Sequence, residues 1–419
     1  MRHLLVFVLI SLSSTVFAQN ATLLLPDHLF DGKQVHEGWG LIFQADTIVA
    51  VGPKSDLRRR QVSEIIELPG TTLLPGLIEG HSHLLLHPYN ETSWNDQVLK
   101  ESHAERVARA VVHAEKTLMA GFTTARDLGS EGAGYADVGI RTAIEKGVVP
   151  GPRLQVAGPA IVATGSYGPK GFAPHAQPPL GAHAADGVDG LIKEVRTQIG
   201  HGADFVKVYA DYRWGPDGEA RPSFSLDELK LIVQTAASSG RRVAAHAATA
   251  EGMRRATLAG VVSIEHGDGG TAEVFALMAE KGVSLCPTIA AGDAISQYRG
   301  WQKGQGEEPA RIKQKRKSMK LALAAGVIIN AGGDVGVYPH GDNAREQELM
   351  VEYGMTPLAT LVATTSTNAK IMGWKDRVGS LKPGLWADLC IVEGRPDQDI
   401  SDLRKVKGVI KGGKWVVRK

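Results

Sequence analysis

The sequence TLLPGLIEGHSH, residues 72–83, runs from an apolar stretch at 72–78 almost directly into two histidines. Seven more short apolar runs follow it along the chain, at 123–128, 153–162, 205–210, 242–247, 261–266, 283–289 and 327–332. Segments with helical spacing lie between them, including 96–119, 187–200, 226–239 and 310–325. Eight such alternations favour a parallel α/β architecture and predict a closed (β/α)8 TIM-like barrel, with an open doubly wound sheet as the alternative.

The composition narrows the class of protein. The 419 residues carry 47 basic and 45 acidic side chains, a formal net charge of +2, which gives no support for a nucleic-acid or polybasic membrane partner. Only two cysteines, Cys286 and Cys390, are present, so a disulfide framework and a four-cysteine zinc site are excluded. With 43% hydrophobic residues, the chain has ample material for a large core.

Residues 1–18 have the pattern of a secretory signal peptide. A basic start at Arg2 precedes an apolar stretch at 4–10, and small or permitted residues end at Ala18 before the predicted cleavage position. The apolar part is too short to span a bilayer, so we expect a secreted or periplasmic protein without stable membrane insertion. A buried N-terminal strand or a membrane anchor is the alternative.

The two ends of the chain differ from its middle. Short alternating strands occur near the start, at 40–44 and 47–51, and again in the tail, at 388–392, 406–410 and 414–417. Because neither end can form a core alone, we predict that 19–71 and 376–419 pair into a small composite β-sandwich domain beside a barrel at 72–375. The charged stretch 302–320 is predicted to be a loop and then a helix with a solvated face.

Four histidines and an aspartate lie at the ends of predicted strands. His81 and His83 follow the first strand, and two imidazoles two residues apart on an extended chain project from the same side. His246 and His266 end the fifth and sixth strands, and Asp334 follows the eighth. Since barrel active sites form where the carboxyl ends of the strands meet, we expect these side chains to bind metal together.

Lys207 lies in the middle of the apolar run 205–210, where an unpaired charge is expensive to bury. A buried lysine shifts toward the neutral amine, which reacts with CO2 to give a carbamate, an anionic oxygen ligand able to bridge two cations. The alternative is a lysine paired with a buried acid. Tyr209 shares the face of Lys207, so its hydroxyl is expected to point into the same cavity.

These motifs resemble those of the metal-dependent amidohydrolase superfamily. The resemblance rests on LPGLIEGHSH at 74–83, TTARDLG at 123–129, the lysine strand, the later histidines, Asp334 and GSLKPGLWADL at 379–389, so it extends over nearly the whole chain after residue 18. It is nearest to the imidazolonepropionase-like branch, which contains prolidase-like and arginine- or lysine-releasing dipeptidases and ochratoxin amidases.

The resemblance implies a cofactor, a ligand set and a substrate class. It implies two zinc ions held as follows: one by His81, His83 and Asp334, the second by His246 and His266, and both bridged by carboxylated Lys207. It also implies a barrel with a small composite β domain, a homo-oligomer, and a small molecule or dipeptide with a free carboxylate as substrate. The branch recognises that carboxylate with a tyrosine at the position of Tyr209.

Two departures from the family pattern are visible. Glu79 stands where relatives have Asp, a change expected to be harmless, and residues 164–169 read TGSYGP where relatives often read TGGHGD. The second change removes a histidine from a loop expected to touch substrate. The loops 166–179 and 334–345 are predicted to cover the site and to set specificity.

Five residues are candidate substrate contacts: Tyr209, Arg126, Tyr167, Tyr338 and His340. Tyr167 and Tyr338, together with Phe172, are expected to form an aromatic pocket. The alternatives are a packing role for Tyr209, a structural pair with Asp127 for Arg126, and a surface position for His340.

The predicted reaction is hydrolysis of an amide bond in dipeptides or N-acyl amino acids, including ochratoxin-type amides, as in a dipeptidase or carboxypeptidase. Two divalent ions can hold a bridging hydroxide that attacks the scissile carbonyl, while Asp334 acts as general base and then as general acid toward the leaving amine. A lactonase or a deaminase of aminated heterocycles is the alternative on the same site, and a non-catalytic binding protein is the third. Imidazole and carboxylate ligands also suit manganese and cobalt.

Overall fold

The computed structural model describes residues 21–173 and 175–418, so the predicted signal peptide lies outside the described residues. The strands, in chain order, are β1 (Ala21–Phe30), β2 (Val35–Glu37), β3 (Trp39–Gln44), β4 (Thr47–Pro53), β5 (Glu64–Pro75), β6 (Leu77–Ser82), β7 (Phe122–Asp127), β8 (Arg153–Val156), β9 (Ile161–Val162), β10 (His183–Ala184), β11 (Val206–Tyr209), β12 (Asp211–Arg213), β13 (Ala220–Pro222), β14 (Val243–Ala247), β15 (Ser263–His266), β16 (Ser284–Cys286), β17 (Leu389–Glu393), β18 (Val406–Lys411) and β19 (Lys414–Arg418).

The helices follow the strands in alternation. They are α1 (Lys54–Leu57), α2 (Trp94–Lys100), α3 (His103–Met119), α4 (Ala136–Glu145), α5 (Gly187–Gly200), α6 (Leu226–Ala237), α7 (Ala250–Ala259), α8 (Ala272–Lys281), α9 (Ile289–Tyr298), α10 (Ala310–Ala324), α11 (Ala344–Glu352), α12 (Pro357–Val362) and α13 (Asn368–Met372), with a π-helical turn at Ala363–Thr367 and a 3₁₀ helix at Ile400–Arg404. Within the described ranges, no helix is both long enough and apolar enough to cross a bilayer.

Strands from both ends of the chain form one eight-stranded sheet. Its order is β19-β18-β17-β5-β1-β3-β4, and β2 pairs with β1. The antiparallel pair β5–β17, with Leu74 opposite Cys390, joins the two ends. The structure corrects one boundary, because residues 72–75 belong to this sheet and the barrel begins at Leu77. At the junction, a Cβ on Gly76 would lie 1.9 Å from Thr123 Oγ1, so the close approach requires glycine.

The middle of the chain forms the predicted barrel. Parallel pairing gives β6-β7-β8 and β9-β11-β14-β15-β16. The amide of Asp204 donates to the carbonyl of Val156 at 2.8 Å and links the two sets on one side. On the other side, the eighth run is not a regular strand as expected. It is an irregular segment held between β16 and β6 by bridges at Ile329 and Val335.

The alternation of side chains along β11 directs Lys207 and Tyr209 toward the barrel interior. Val206 and Val208 on β11 are fully buried in the largest hydrophobic cluster, which also contains Ile232 of α6. Lys207 and Tyr209 alternate with these valines and therefore face the barrel interior. Packing against the outer helices thus decides which residues of β11 reach the site.

Candidate active site

His81 and His83 each have one ring nitrogen held by a buried acceptor. Nδ1 of His81 donates to Glu265 Oε2 at 2.8 Å, and Nδ1 of His83 donates to the carbonyl oxygen of Gly129 at 2.9 Å. A carbonyl can only accept, so Nδ1 of His83 carries the proton and Nε2 keeps its lone pair. The Nε2 atoms lie 3.6 and 3.4 Å from Asp334 Oδ1. Both imidazoles therefore present Nε2 to Asp334.

His246 and His266 form the other side of the centre. Their ring centroids are 4.5 Å apart, and the His266 ring is 5.2 Å from that of His81. Nδ1 of His266 lies 2.7 Å from Thr288 Oγ1, which leaves its Nε2 open. Nε2 of His246 lies 3.7 Å from the buried carboxylate of Asp211. Four histidines, from three places in the chain, thus meet in one volume.

Backbone strain is concentrated at this end of the barrel. Among the described residues, five that are not glycine have positive φ, and four of them surround the centre: Glu131, His266, Thr288 and Asp334, at 47°, 76°, 48° and 62°. Such conformations cost about 1–3 kcal/mol each and persist where surrounding contacts over-determine them. The strain is consistent with side chains held for function.

The donor set fits a divalent metal. Ligand atoms of His81, His266 and Asp334 all lie within 4.8 Å of one another. Burial lowers the pKa of His246 to about 3, and the charge of Lys207 also lowers it, so this imidazole is neutral and can act as a ligand. Nitrogen and oxygen ligands of this kind suit zinc, manganese or cobalt.

A second group, His81 with Glu265 and Cys286, does not fit a metal. Glu265 already pairs with Arg126. Burial holds the pKa of the Cys286 thiol well above its ordinary value, whereas only the thiolate is a good ligand. Cys286 is buried.

Arg126 is not placed where a substrate contact is needed. It is buried beneath the centre, where it donates to Glu265 Oε1 at 2.9 Å, to the carbonyl of Gly80 at 2.8 Å and to Ser263 Oγ at 3.1 Å. Its carboxylate partner is Glu265 rather than Asp127. Glu265 has the same sequence signal as Lys207, a charge inside an apolar run, but it was not predicted as a site residue.

Arg126→Leu is expected to reduce the free energy of unfolding by about 3–5 kcal/mol, because it leaves the buried Glu265 carboxylate without its cation. Chemical denaturation measures the loss, and the double variant with Glu265→Gln should recover part of it. If the variant instead has unchanged stability and a raised KM, Arg126 is a substrate contact.

Tyr338 and His340 are also placed away from the cavity. Tyr338 is fully buried, and its hydroxyl occupies the space beside Gly333, where an added Cβ would lie 2.0 Å from it. His340 stacks on His113 with ring centroids 4.3 Å apart. The loop 334–345 is therefore packed into the protein rather than arranged as a cover, which corrects that expectation.

Glu79 connects the segment that carries His81 with the segment that carries Asp334. Its Oε1 accepts from the amides of His81 at 3.1 Å and Gly333 at 2.9 Å, and its Oε2 accepts from Asn343 Nδ2 at 2.8 Å. Burial raises the pKa of Glu79 to about 7. The glutamate thus fills a supporting position beneath the ligands.

A cavity of about 700 Å³ opens above the centre. Its lining includes the four histidines, Asp334 and the predicted contacts Tyr209 and Tyr167. It also includes residues that were not predicted: Tyr89, Trp94, Glu131, Tyr212, Arg213, Asp268, Tyr298, Arg299 and Arg311. Phe172 is about half exposed and does not contribute to this lining. Of the three expected aromatic residues, only Tyr167 is in the described lining, and the other aromatic side chains there are Tyr89, Trp94, Tyr209, Tyr212 and Tyr298.

The charged helix α10 was predicted to have a solvated face, but part of its charged surface is buried against the site. Lys315 is buried and donates to the carbonyls of His266 at 2.7 Å and Pro287 at 2.6 Å, and it forms an ion pair with Asp268. Arg311 lies one turn earlier on the cavity wall, where no described residue forms a hydrogen bond or ion pair with its guanidinium. The helical spacing of the sequence did not predict that the face of α10 with Arg311 and Lys315 packs against the candidate active site.

Glu346 caps the helix that follows Thr288. Because the Thr288 hydroxyl is beside His266, it does not cap α9. Glu346 accepts from the amides of Ile289 at 3.0 Å and Ala290 at 2.7 Å instead. The cap thus indirectly fixes a residue that holds His266.

Glu346→Gln is expected to make stability less dependent on pH. Burial raises the pKa of Glu346 from 4.5 to about 8, although its backbone hydrogen bonds lower it. An acid with a raised folded-state pKa contributes stability that is present below the unfolded pKa and is lost as pH rises, here between 4.5 and about 8. Denaturation at several pH values should give a shallower slope for the variant, by at most about 1.4 kcal/mol per pH unit. Equal slopes would contradict this.

Comparisons with known proteins agree with the geometry. The Amidohydrolase family model matches residues 72–416. Ochratoxinase from Aspergillus niger is 31% identical over 94% of this chain and 85% of its own length, and the imidazolonepropionase of Geobacillus kaustophilus is 25% identical over 96% and 95%.

Solved structures show the same likeness. A Xaa-Pro dipeptidase with methionine bound in its active site has a TM-score of 0.83 at 30% identity, covering 95% of this chain and all of that one. The A. niger ochratoxinase structure has a TM-score of 0.81 at 29% identity, covering 96% of each chain. The barrel, the terminal sheet and the family match together show that this chain belongs to the amidohydrolase family, in its imidazolonepropionase-like branch.

Proposed function

We propose that this protein is a binuclear zinc-dependent hydrolase of amide bonds in dipeptides or N-acyl amino acids. The family and its ochratoxinase and dipeptidase relatives support amide hydrolysis. The observation that carries the finer proposal is the meeting of two histidine pairs and Asp334 at the carboxyl ends of the strands, above buried Lys207.

The ligands would be His81, His83 and Asp334 for one ion, His246 and His266 for the other, and carboxylated Lys207 for both. When bound, two divalent ions lower the pKa of water and polarise the scissile carbonyl. Asp334 takes a proton from the attacking water on its carboxylate oxygen and delivers it to the leaving nitrogen. Glu265, His81's partner, keeps that imidazole oriented throughout.

The cavity wall supports a substrate with a free carboxylate. Arg311 lines the cavity without a hydrogen-bonded partner among the described residues, and Arg299 lies on the same wall. A guanidinium is suited to binding a carboxylate through two hydrogen bonds. We assign the contact with the substrate carboxylate to Arg311, because Arg126 is engaged with Glu265 beneath the centre.

A panel of substrates tests the proposal. Dipeptides, N-acyl amino acids including ochratoxin A, lactones and aminated heterocycles are incubated with protein whose metal content is measured. Release of a free amino acid with about two metal ions per chain is expected. Turnover of lactones or heterocycles alone would indicate the other reactions of this site, and no turnover with well under one ion per chain would indicate a binding protein.

The remaining proposals concern the export of the protein and its oligomeric state. Export after removal of residues 1–18 is tested by the N-terminal sequence of protein recovered from the periplasm or medium. A homo-oligomer is tested by light scattering of the same sample. A chain that keeps Met1, or a monodisperse monomer, would contradict the respective proposal.

A further inference from the structure

Glu131 is a buried carboxylate on the cavity wall, without an ion-pair partner among the residues that the structure describes. Only 3% of the residue is exposed, and its backbone is in the left-handed region, with φ of 47°. Its Oε2 accepts from Tyr167 Oη at 2.6 Å and from Trp94 Nε1 at 2.9 Å, both neutral donors. Within the described part of the chain, no lysine, arginine or histidine nitrogen lies within 4 Å of this carboxylate. Burying such a charge is costly unless a cation compensates it.

The nearest arginine does not provide that compensation directly. Arg106 uses its guanidinium for the carbonyl oxygens of Leu85, Ser130 and Glu131 itself, at 2.7–3.2 Å. It stabilises the strained backbone of the loop, while the Glu131 side chain stays directed toward the cavity. The carboxylate is therefore available to a ligand.

Tyr167, which donates to this carboxylate, packs against two further tyrosine rings. The ring centroids of Tyr167 are 4.7 Å from those of Tyr209 and 4.8 Å from those of Tyr212, and Tyr209 and Tyr212 are 5.7 Å apart. All three line the cavity. Aromatic faces attract cations, and a set of them beside an acid is suited to an ammonium group. We refer to Glu131, Tyr167, Tyr209 and Tyr212 as the acidic aromatic cluster.

The charges on the cavity walls are separated. Glu131 follows β7, the second strand of the ring, whereas Arg311 follows β16, the seventh, and the metal-ligand candidates lie between them. A substrate carboxylate placed at Tyr209 would approach the like charge of Glu131, whose hydrogen-bonded partner Tyr167 contacts Tyr209. A substrate that places its carboxylate at Arg311 and its ammonium group at Glu131 would instead meet an opposite charge at each end.

We propose that the acidic aromatic cluster binds the free α-ammonium group of the substrate, so that this protein prefers unblocked dipeptides to N-acyl amino acids. The inference rests on the proposed amide hydrolysis at the same site. An extended dipeptide, with about 3.8 Å between its Cα atoms, places its two charged ends on either side of the scissile bond. The cavity of about 700 Å³ leaves room for both side chains.

The test uses two substrates that differ only in the ammonium group, L-alanyl-L-phenylalanine and N-propionyl-L-phenylalanine. For the wild-type protein, kcat/KM should be at least about 10-fold higher for the dipeptide. Glu131→Gln should lower kcat/KM for the dipeptide by about 10–100-fold, as expected for loss of a charge-assisted contact, and should leave the propionyl compound within about 2-fold. Glutamine retains an acceptor for Tyr167 and Trp94, so it suits the site sterically.

Two control variants separate recognition from folding. Arg311→Met should lower kcat/KM for both compounds, since both carry the carboxylate. Tyr167→Phe keeps the ring and removes only one hydrogen bond to Glu131, so its effect on the dipeptide should be smaller than that of Glu131→Gln. A Glu131→Gln variant that loses activity equally on both compounds would overturn the inference, as would equal wild-type kcat/KM values.

Binding is measured in parallel by calorimetry, with Asp334→Asn protein to prevent turnover, and here too the dipeptide should bind more tightly. If the wild-type protein cleaves neither compound, the proposed reaction fails for this class. Preferential binding of the dipeptide would then still support the ammonium site, and equal affinities would refute it.

Discussion

Lys207→Ala is expected to abolish hydrolysis, with kcat/KM reduced by at least about 10³-fold, while the protein remains folded and loses most of its bound metal. Only 1% of Lys207 is exposed, and no acidic oxygen lies within ion-pair distance of Nζ among the residues described. Burial lowers the pKa of Lys207, although Glu265 and Asp334 oppose this shift. The neutral Nζ can attack the carbon of CO2, forming an N–C bond and releasing a proton, which leaves the carbamate.

The control for this prediction is Lys207→Met, which keeps most of the side-chain volume. Both variants should retain the wild-type circular dichroism spectrum, because a neutral side chain in this position removes a buried charge. The metal content of each variant is measured, and the wild-type protein is reloaded with metal with and without added bicarbonate. Both measurements test the ligand role of Lys207 separately from activity. A Lys207→Met protein with two metal ions and normal turnover would show that Lys207 is not a ligand.

The barrel was predictable because its strands leave a regular signal. Apolar runs separated by segments with helical spacing mark strands at seven of the eight positions, and the inward direction of Lys207 and Tyr209 follows from the period of a strand. The eighth position, around Ile329, is held by isolated bridges, and sequence periodicity cannot distinguish such a segment from a strand. The misassigned residues 72–75 had the same cause, since the apolar run continues across the junction at Gly76.

The meeting of the candidate metal ligands at one end of the barrel was easier to predict than the directions of the candidate substrate contacts. Each candidate ligand is fixed by its place at a strand end, where the fold alone brings the chain together. Arg126 is equally close to the site in sequence, but its direction depends on Glu265, which lies more than a hundred residues away. Glu131 was not predicted because its direction depends on Tyr167 and Trp94, from two separate segments.

Asp334→Asn is the sharpest test of the chemical step, and we expect kcat/KM to fall by at least about 10³-fold with little change in stability. Asparagine has nearly the same shape as aspartate and is one of the few residues that accept positive φ, here 62°. It removes the charge next to Nε2 of His83 and His81, at 3.4 and 3.6 Å, and it cannot carry a proton from water to the leaving nitrogen.

Asp334→Ala is the matched comparison because it removes the same chemistry and also removes the short polar side chain that makes the left-handed conformation at this position tolerable. That variant should lose about 1 kcal/mol or more of stability in addition to activity, whereas Asp334→Asn should unfold near the wild-type temperature. Loss of activity in both variants with loss of stability only in the alanine variant would separate proton transfer from folding. An Asp334→Asn protein that keeps turnover within about tenfold of wild type would show that another group moves the proton.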